Sequence, residues 1–182
     1  MIATRPADFD EPLIAALCQD VAPGQMPVQI FSKPFHGAVA NDCFANVHKQ
    51  IERAGGEQVI GWALWECPGI FAEAEFHAVW RDPATGALLD LNPRPYPWTV
   101  ISFLPDPARR YGGRQVDNIR KPLKNDPLVK QYLHQSQRLF QQMNTGDLAH
   151  QHGEIEVPPK LYKEMVRTRR ELERLHKRIF KN

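Results

Sequence analysis

The sequence predicts an α+β fold: one amphipathic helix, then consecutive antiparallel strands, then more helix toward the C-terminus. Three observations carry that reading. From 43 to 54, Phe44, Val47, Ile51 and Ala54 recur at spacings of three and four, the period of a helix with one buried face. From 58 to 91 the pattern gives three strand candidates, Gln58–Trp65, Ala72–Arg81 and Ala87–Leu91. The last two are joined by Asp82-Pro83-Ala84-Thr85-Gly86, which has hairpin-turn chemistry. Beyond 126 the helical period returns, first with Leu128, Tyr132, Leu139 and Met143, then with Leu161, Met165, Thr168, Leu172, Leu175 and Ile179. A helix laid on consecutive antiparallel strands is a two-layer arrangement with one core.

The elements follow in order. Pro6, Pro12, Pro23, Pro27 and Pro34 restrict the first forty residues to short elements, a helix over 10–21 and a strand over 27–32. Cys18 lies beside Leu17 and Val21 and reads as a small buried apolar side chain. Asp42 is a suitable N-cap for the helix that Cys43 begins, and Gly55-Gly56 a suitable C-cap. From 94 to 113 prolines and aromatics alternate, which suggests an ordered surface wrap in which Trp98, Ile101, Phe103 and Leu104 need somewhere to bury. Helices over 126–144 and from Pro158-Pro159 to about Phe180 close the chain. This divides it into a proline-rich N-terminal segment packed on the core (1–40), an α+β core (41–113) and a helical C-terminal extension with a basic final helix (114–182).

Composition narrows the function classes. With 182 residues, 42% apolar, the chain can build one domain with a core and an appendage. A net charge of +2 argues against a general polyanion binder, although nine Lys/Arg against three Glu from 160 to 181 make the last helix basic. Three cysteines without CxxC spacing suggest neither a disulfide framework nor a four-cysteine zinc site. The first residues lack the apolar run of a secretory signal, and no stretch approaches the ~20 apolar residues of a membrane span. A cytoplasmic setting without membrane contact is the expectation.

Chemistry concentrates between Asn41 and Pro93. Cys43 stands at a helix start, where free N–H groups and the helix dipole favour a thiolate and can also hold an oxyanion. In Glu73-Ala-Glu75-Phe-His77-Ala-Val-Trp80, strand alternation puts Glu73, Glu75 and His77 on one side and Ala74, Phe76, Ala78 and Trp80 on the other. His77 can serve as a general base near neutral pH. Asp90, on the partner strand of the hairpin, can orient the imidazole, and Asn92 shares its strand parity. Cys43, Glu73, Glu75, His77 and Asp90 are also zinc donor types, but no tight ligand pair anchors a metal site. Asn46, one turn after Cys43, is placed to contact substrate or to bond locally; Trp62 and Trp65 are placed to wall a substrate groove or to pack the core.

These residues carry a resemblance. The runs Cys43-Phe-Ala-Asn-Val47, Ile51-Glu-Arg-Ala-Gly-Gly56 and Val59-Ile-Gly-Trp62 resemble the core of the transglutaminase-like (papain-like) cysteine superfamily. His77-Ala-Val-Trp80 and Asp90-Leu-Asn-Pro93 resemble that superfamily's His-Ala-(Trp) strand and Asp-x-Thr-Pro turn, with Asn92 where Thr is common and acidic Asp42 before the cysteine. The resemblance implies a papain-like helix on a small antiparallel sheet. It also implies a Cys43 nucleophile, a His77 base and an Asp90 orienter, acting as an amide or peptide hydrolase or acyltransferase without a cofactor. The alternative is a non-catalytic binding protein of the same fold that engages a partner through its basic last helix. That helix can dock on its own domain, pair with a second copy or meet an acidic partner. Nucleic acid is disfavoured, because Glu is interspersed and no aromatic platform accompanies the basic residues.

Overall fold

The computed structural model describes residues 4–151 and 155–180. Among the described residues the chain is α+β, with seven strands and four α-helices. The strands are β1 (Arg5–Pro6), β2 (Val28–Ser32), β3 (Glu57–Cys67), β4 (Phe71–Arg81), β5 (Leu88–Asp90), β6 (Val100–Pro105) and β7 (Ile119–Pro122). The helices are α1 (Pro12–Val21), α2 (Cys43–Ala54), α3 (Pro127–Met143) and α4 (Pro159–Ile179), with a 3-10 turn at Gly146–His150. His152–Glu154 of the polar break before α4, and Lys181 of the basic tail, lie outside the described residues.

The β3–β4 hairpin is the spine, in register from Glu57 opposite Arg81 to Cys67 opposite Phe71. From β3 the sheet runs through β6, β2 and β5 back to β4, so five strands close into a barrel. β1 and β7 extend the far end of the hairpin, against β3 and β4 respectively. This corrects the expected small antiparallel sheet: the sheet is closed, and β2 runs parallel to β5. The difference originates in residues 100–105. Prolines on both sides suggest an irregular wrap, yet Val100–Pro105 is the strand that bridges β3 and β2. Pro105 is tolerated because it ends the strand. β2 comes from the proline-rich first forty residues and β7 from the C-terminal extension, so both flanks contribute to the one sheet.

Alternation then decides what faces what. Ile30, Ala63, Val79, Ile101 and Phe103 fill the barrel, with Val59 and Leu88 packed against them. Outside, α1 covers Trp62, Leu64, Ala72 and Ala74, burying Ile14, Leu17 and Cys18 there. α2 lays Val47 and Ile51 on Ala78, Trp80 and Leu91. The Trp80 indole Nε1 donates to the Gly55 carbonyl at 2.9 Å and pins the end of that helix. Helices α3 and α4 cover the outer part of the hairpin, where Val129, Leu133 and Ile179 meet Cys67 and Phe71. The basic helix therefore docks on its own domain through Met165, Thr168, Leu175 and Ile179, and its charged residues face outward. No helix among the described residues is long and apolar enough to cross a membrane.

One glycine makes closure possible. Gly61 sits directly across from His77 and opposite Pro105. A Cβ there would lie 2.2 Å from the Leu104 carbonyl oxygen and 2.6 Å from the Phe103 ring. Neither atom can withdraw without moving β6, so Gly61→Ala is expected to cost about 1–3 kcal/mol or more through overpacking. Urea denaturation of the variant checks this; an unchanged midpoint would refute the close approach.

Candidate active site

β4 is paired on one edge with β3 along its whole length, but on the other edge only at its ends. β5 takes Trp80 and Arg81, and β7 takes Phe71 to Ala74. Residues 75–79 are left without a ladder partner on that edge. The segment after β5 and the start of α2 occupy this interval. Asn46 Nδ2 donates to the Val39 carbonyl at 2.7 Å, and its Oδ1 accepts from the Val39 N–H at 2.9 Å. The same Nδ2 lies 3.4 Å from Asn92 Oδ1, which ties the first turn of α2 to the segment beyond Asp90. Asn46 is thus a fully buried local brace.

Cys43 is the first residue of α2 and is partly exposed, whereas Cys18 and Cys67 are buried. Asp42 occupies the N-cap position as the sequence predicts, but its side chain makes no capping hydrogen bond. Preceding it, Asn41 has φ of 62°, a left-handed conformation that Asn tolerates better than most residues. The chain turns sharply just before the thiol.

His77 and Asp90 are both wholly buried, and His77 Nε2 lies 2.8 Å from Asp90 Oδ1. The Asn92 N–H also donates to that oxygen, at 3.0 Å. Arg94 Nε donates to Asp90 Oδ2 at 3.3 Å, and its Nη1 donates to Glu75 Oε2 at 2.9 Å. The Trp65 indole donates to the same Glu75 oxygen at 2.7 Å, and the Arg94 guanidinium lies 4.8 Å from the Trp65 ring centre. Glu75, Arg94, Asp90 and His77 therefore form one continuous network, in which His77 and Asp90 are wholly buried and Arg94 and Glu75 partly exposed. Asp90, rather than Asn92, faces the imidazole; Asn92 supports Asp90 through its backbone.

The tautomer follows from this network. Arg94 has only donors, and its Nη2 comes within 3.3 Å of His77 Nε2, so it cannot relieve that nitrogen of a proton. Nε2–H is matched by the Asp90 carboxylate. Nδ1 makes no hydrogen bond among the described residues and is buried. By elimination it is the ring nitrogen left for Cys43, whose charge and thiol both act on the imidazole.

Electrostatics agree with the geometry. Burial alone would lower the His77 pKa, but Cys43 and the Asp90 carboxylate overcome it and raise the value to about 10. Burial would raise Asp90, but the imidazolium, its hydrogen bond and Arg94 bring it down to about 2. Glu75 is likewise lowered: Arg94, His77 and the Trp65 indole outweigh its burial. Burial pushes both Cys18 and Cys67 thiols up.

Cys43, Asp42, Glu75 and Asn92 open on a cleft of about 590 Å³. Its near wall carries Phe44, Phe76 and Tyr111; its far wall is built from α3 and α4. Phe44 and Tyr111 stack with ring centres 3.7 Å apart. The expected groove tryptophans are not on this cleft. Trp62 is buried under α1 with its indole donating to Asp106 Oδ2 at 3.0 Å, and Trp65 supports Glu75 and Arg94. Trp62 is taken by packing, whereas Trp65 lines a smaller cleft of about 240 Å³ with Glu75 and Arg94. Among the described residues no group of three or more His, Cys, Asp and Glu is arranged to hold a metal; Glu73 pairs with Arg120 instead, at 2.6 Å.

Sequence reasoning missed Arg94 and the far wall. The signal for Arg94 was present: Asp90, Asn92 and Arg94 share one alternation, and the third member completes the row. Comparison with protein-family models, curated proteins and solved structures gives no match to this chain.

The Asp90 shift has a measurable consequence. A carboxylate with a lowered folded-state pKa contributes stability above its unfolded value, near 4, and loses it as pH falls toward 2. Asp90→Asn should therefore be less stable than the parent by on the order of 2 kcal/mol at pH 7, with the gap closing between about pH 4 and 2. Denaturation at several pH values reads this; parallel curves would refute it.

Proposed function

We propose that the protein is a cysteine-dependent amide or peptide hydrolase or acyltransferase, a divergent relative of the transglutaminase-like, papain-like enzymes. The observation that carries this reading is the unpartnered Nδ1 of a buried His77, held by Asp90 through Nε2, next to a partly exposed cysteine at a helix start. A histidine held this way turns only Nδ1 toward the thiol, and the proton it takes there leaves an imidazolium beside a thiolate.

The steps follow from ordinary acyl-transfer chemistry. His77 takes the Cys43 proton at Nδ1, and the thiolate attacks the carbonyl carbon of an amide. The oxyanion is held by the free N–H groups of the first turn of α2. The Asn92 side-chain amide is available as a further donor, since its Oδ1 accepts from Asn46 and the residue borders the cleft. Collapse breaks the C–N bond, and His77 returns the proton to the leaving amine. Water or a second amine then attacks the Cys43 thioester, giving hydrolysis or transfer. Asp90 stays ionised and stabilises the imidazolium at each step. Arg94 acts through Asp90 as a positioning residue.

Iodoacetamide labelling with peptide mapping tests the reading. Exposure alone favours Cys43 over the buried Cys18 and Cys67, so the decisive quantity is pH dependence. The parent protein should label at Cys43 nearly as fast at pH 6 as at pH 8. In His77→Ala the rate should fall about tenfold per pH unit below roughly 8.5, as for a free thiol. Identical profiles in the two proteins would remove His77 from the mechanism, and slow uniform labelling of all three cysteines would remove the enzyme.

A further inference from the structure

We propose that the far wall of the cleft, built by α3 and α4, is the acyl-side specificity pocket of this site. The substrate it selects carries a neutral hydrophobic group, aromatic or aliphatic, next to the carbonyl that Cys43 attacks. The proposal rests on the thiol acyl-transfer reading above and adds the substrate class to it.

Helix α3 changes task along its length. Its first half puts Val129 and Leu133 into the core against Cys67 and Phe71. Its second half turns Leu139, Phe140 and Met143 to the cleft, joined there by Leu172 of α4, and all four stay only partly covered. Apolar side chains in this state gain from any apolar group that covers them, at roughly 25 cal/mol per Å² removed from water. Phe44 follows the proposed nucleophile directly and Phe76 precedes the proposed base, so the apolar surface reaches the reacting centre from both elements. The cleft volume of about 590 Å³ exceeds what one small acyl group fills and suits an extended side chain or short peptide.

Charge points the same way. The cation on the cleft, Arg120, is already held by Glu73 at 2.6 Å and Asp117 at 2.9 Å. Asp42 borders the cleft beside the thiol and disfavours an anionic acyl group, whereas Glu75 is matched by Arg94 at 2.9 Å. Ser136 and Gln115 add only neutral polarity. Selection by this wall is therefore apolar and, near the thiol, against negative charge.

Activated esters separate this proposal from the reading beneath it. Single-turnover acylation of the protein by the p-nitrophenyl esters of acetate, 3-phenylpropanoate, hexanoate and hemisuccinate is followed by nitrophenolate release. The thiolate attacks the ester carbonyl, an S–C bond forms, and nitrophenolate leaves with the electron pair of the broken C–O bond. Each rate is divided by that of free glutathione, which removes intrinsic ester reactivity. The expected result is at least a tenfold preference for 3-phenylpropanoate and hexanoate over acetate, with hemisuccinate slower than acetate. The Leu139→Gln/Met143→Gln double variant should bring the preference down to the glutathione ratio. Should that variant not fold, protection of Cys43 in the parent by N-acetyl-phenylalanine amide, and not by N-acetyl-aspartate amide, reads the same preference. Acylation of Cys43 with ratios equal to those of glutathione would overturn the pocket while leaving the thiol mechanism standing. Absence of acylation at Cys43, together with unselective iodoacetamide labelling, would overturn the mechanism and the pocket with it.

Discussion

The pairing of β3 with β4 is the constraint on which everything else depends. Eleven residues of each strand face one another without a bulge, and each strand then divides its outer edge between two partners. At the near end these partners are β6 and β5, which close the barrel; at the far end they are β1 and β7. The division leaves the middle of β4 unpaired on one side. A barrel fully laddered there would seal His77 behind backbone. Because the ladder is interrupted, the first turn of α2 and the segment after Asp90 can both reach the imidazole. Site and fold thus share one origin in the lengths of neighbouring strands.

Placing charge in so largely buried a site has a cost that only pairing can offset. Glu75 and Asp90 are matched by Arg94 and by protonated His77, with hydrogen bonds from Trp65 and from the Asn92 backbone N–H. With the imidazole neutral, the four groups carry a net charge of −1; with it protonated they balance. This balance, together with Cys43, is why burial fails to keep His77 neutral. The polarity of the network also fixes direction. Among the described residues Asp90 and Arg94 both lie on the Nε2 side of His77, which leaves Nδ1 as the nitrogen for Cys43.

Much of this was legible in the sequence, for identifiable reasons. The helix from Cys43 to Ala54 has its apolar period uninterrupted and glycine at its end, and it forms with those limits. The hairpin and its turn were equally plain, since Gly86 and Asp82 close the turn by backbone hydrogen bonds. Alternation in β4 separated the titratable row from the apolar one, and the structure keeps that separation. The closure by β6 was not legible. Ile101 and Phe103 have strand alternation, but proline on either side hides it, and which strands neighbour β6 is decided only by tertiary packing. The tryptophans stayed open between two roles, because an aromatic near reactive residues reads alike whether it walls a groove or fills a core. Trp62 is in the middle of a two-sided strand and packing claims it, while Trp65 near the strand's end faces Glu75 and Arg94. The far wall was invisible for a different reason: α3 is distant in sequence, and its apolar period does not reveal that half of it meets open space.

The acidic residue before the thiol can be weighed on the same physical grounds. Asp42 borders the cleft, where solvent enters, and its carboxylate does not cap the helix. Two charges about 6 Å apart interact by ~0.7 kcal/mol in water but by ~3 kcal/mol at an effective dielectric near 20. Repulsion between Asp42 and a thiolate belongs to the first regime, and attraction from a buried imidazolium to the second. In the proposed mechanism the attraction is the larger effect, and the free N–H groups of the α2 start add to it. Asp42 is then free to act outward, on what enters the cleft, by turning away anionic groups before they reach the sulfur. On the proposed reading, the residue that looks inimical to the chemistry from its position in sequence becomes, at the mouth of this cleft, part of the selection for a neutral acyl group.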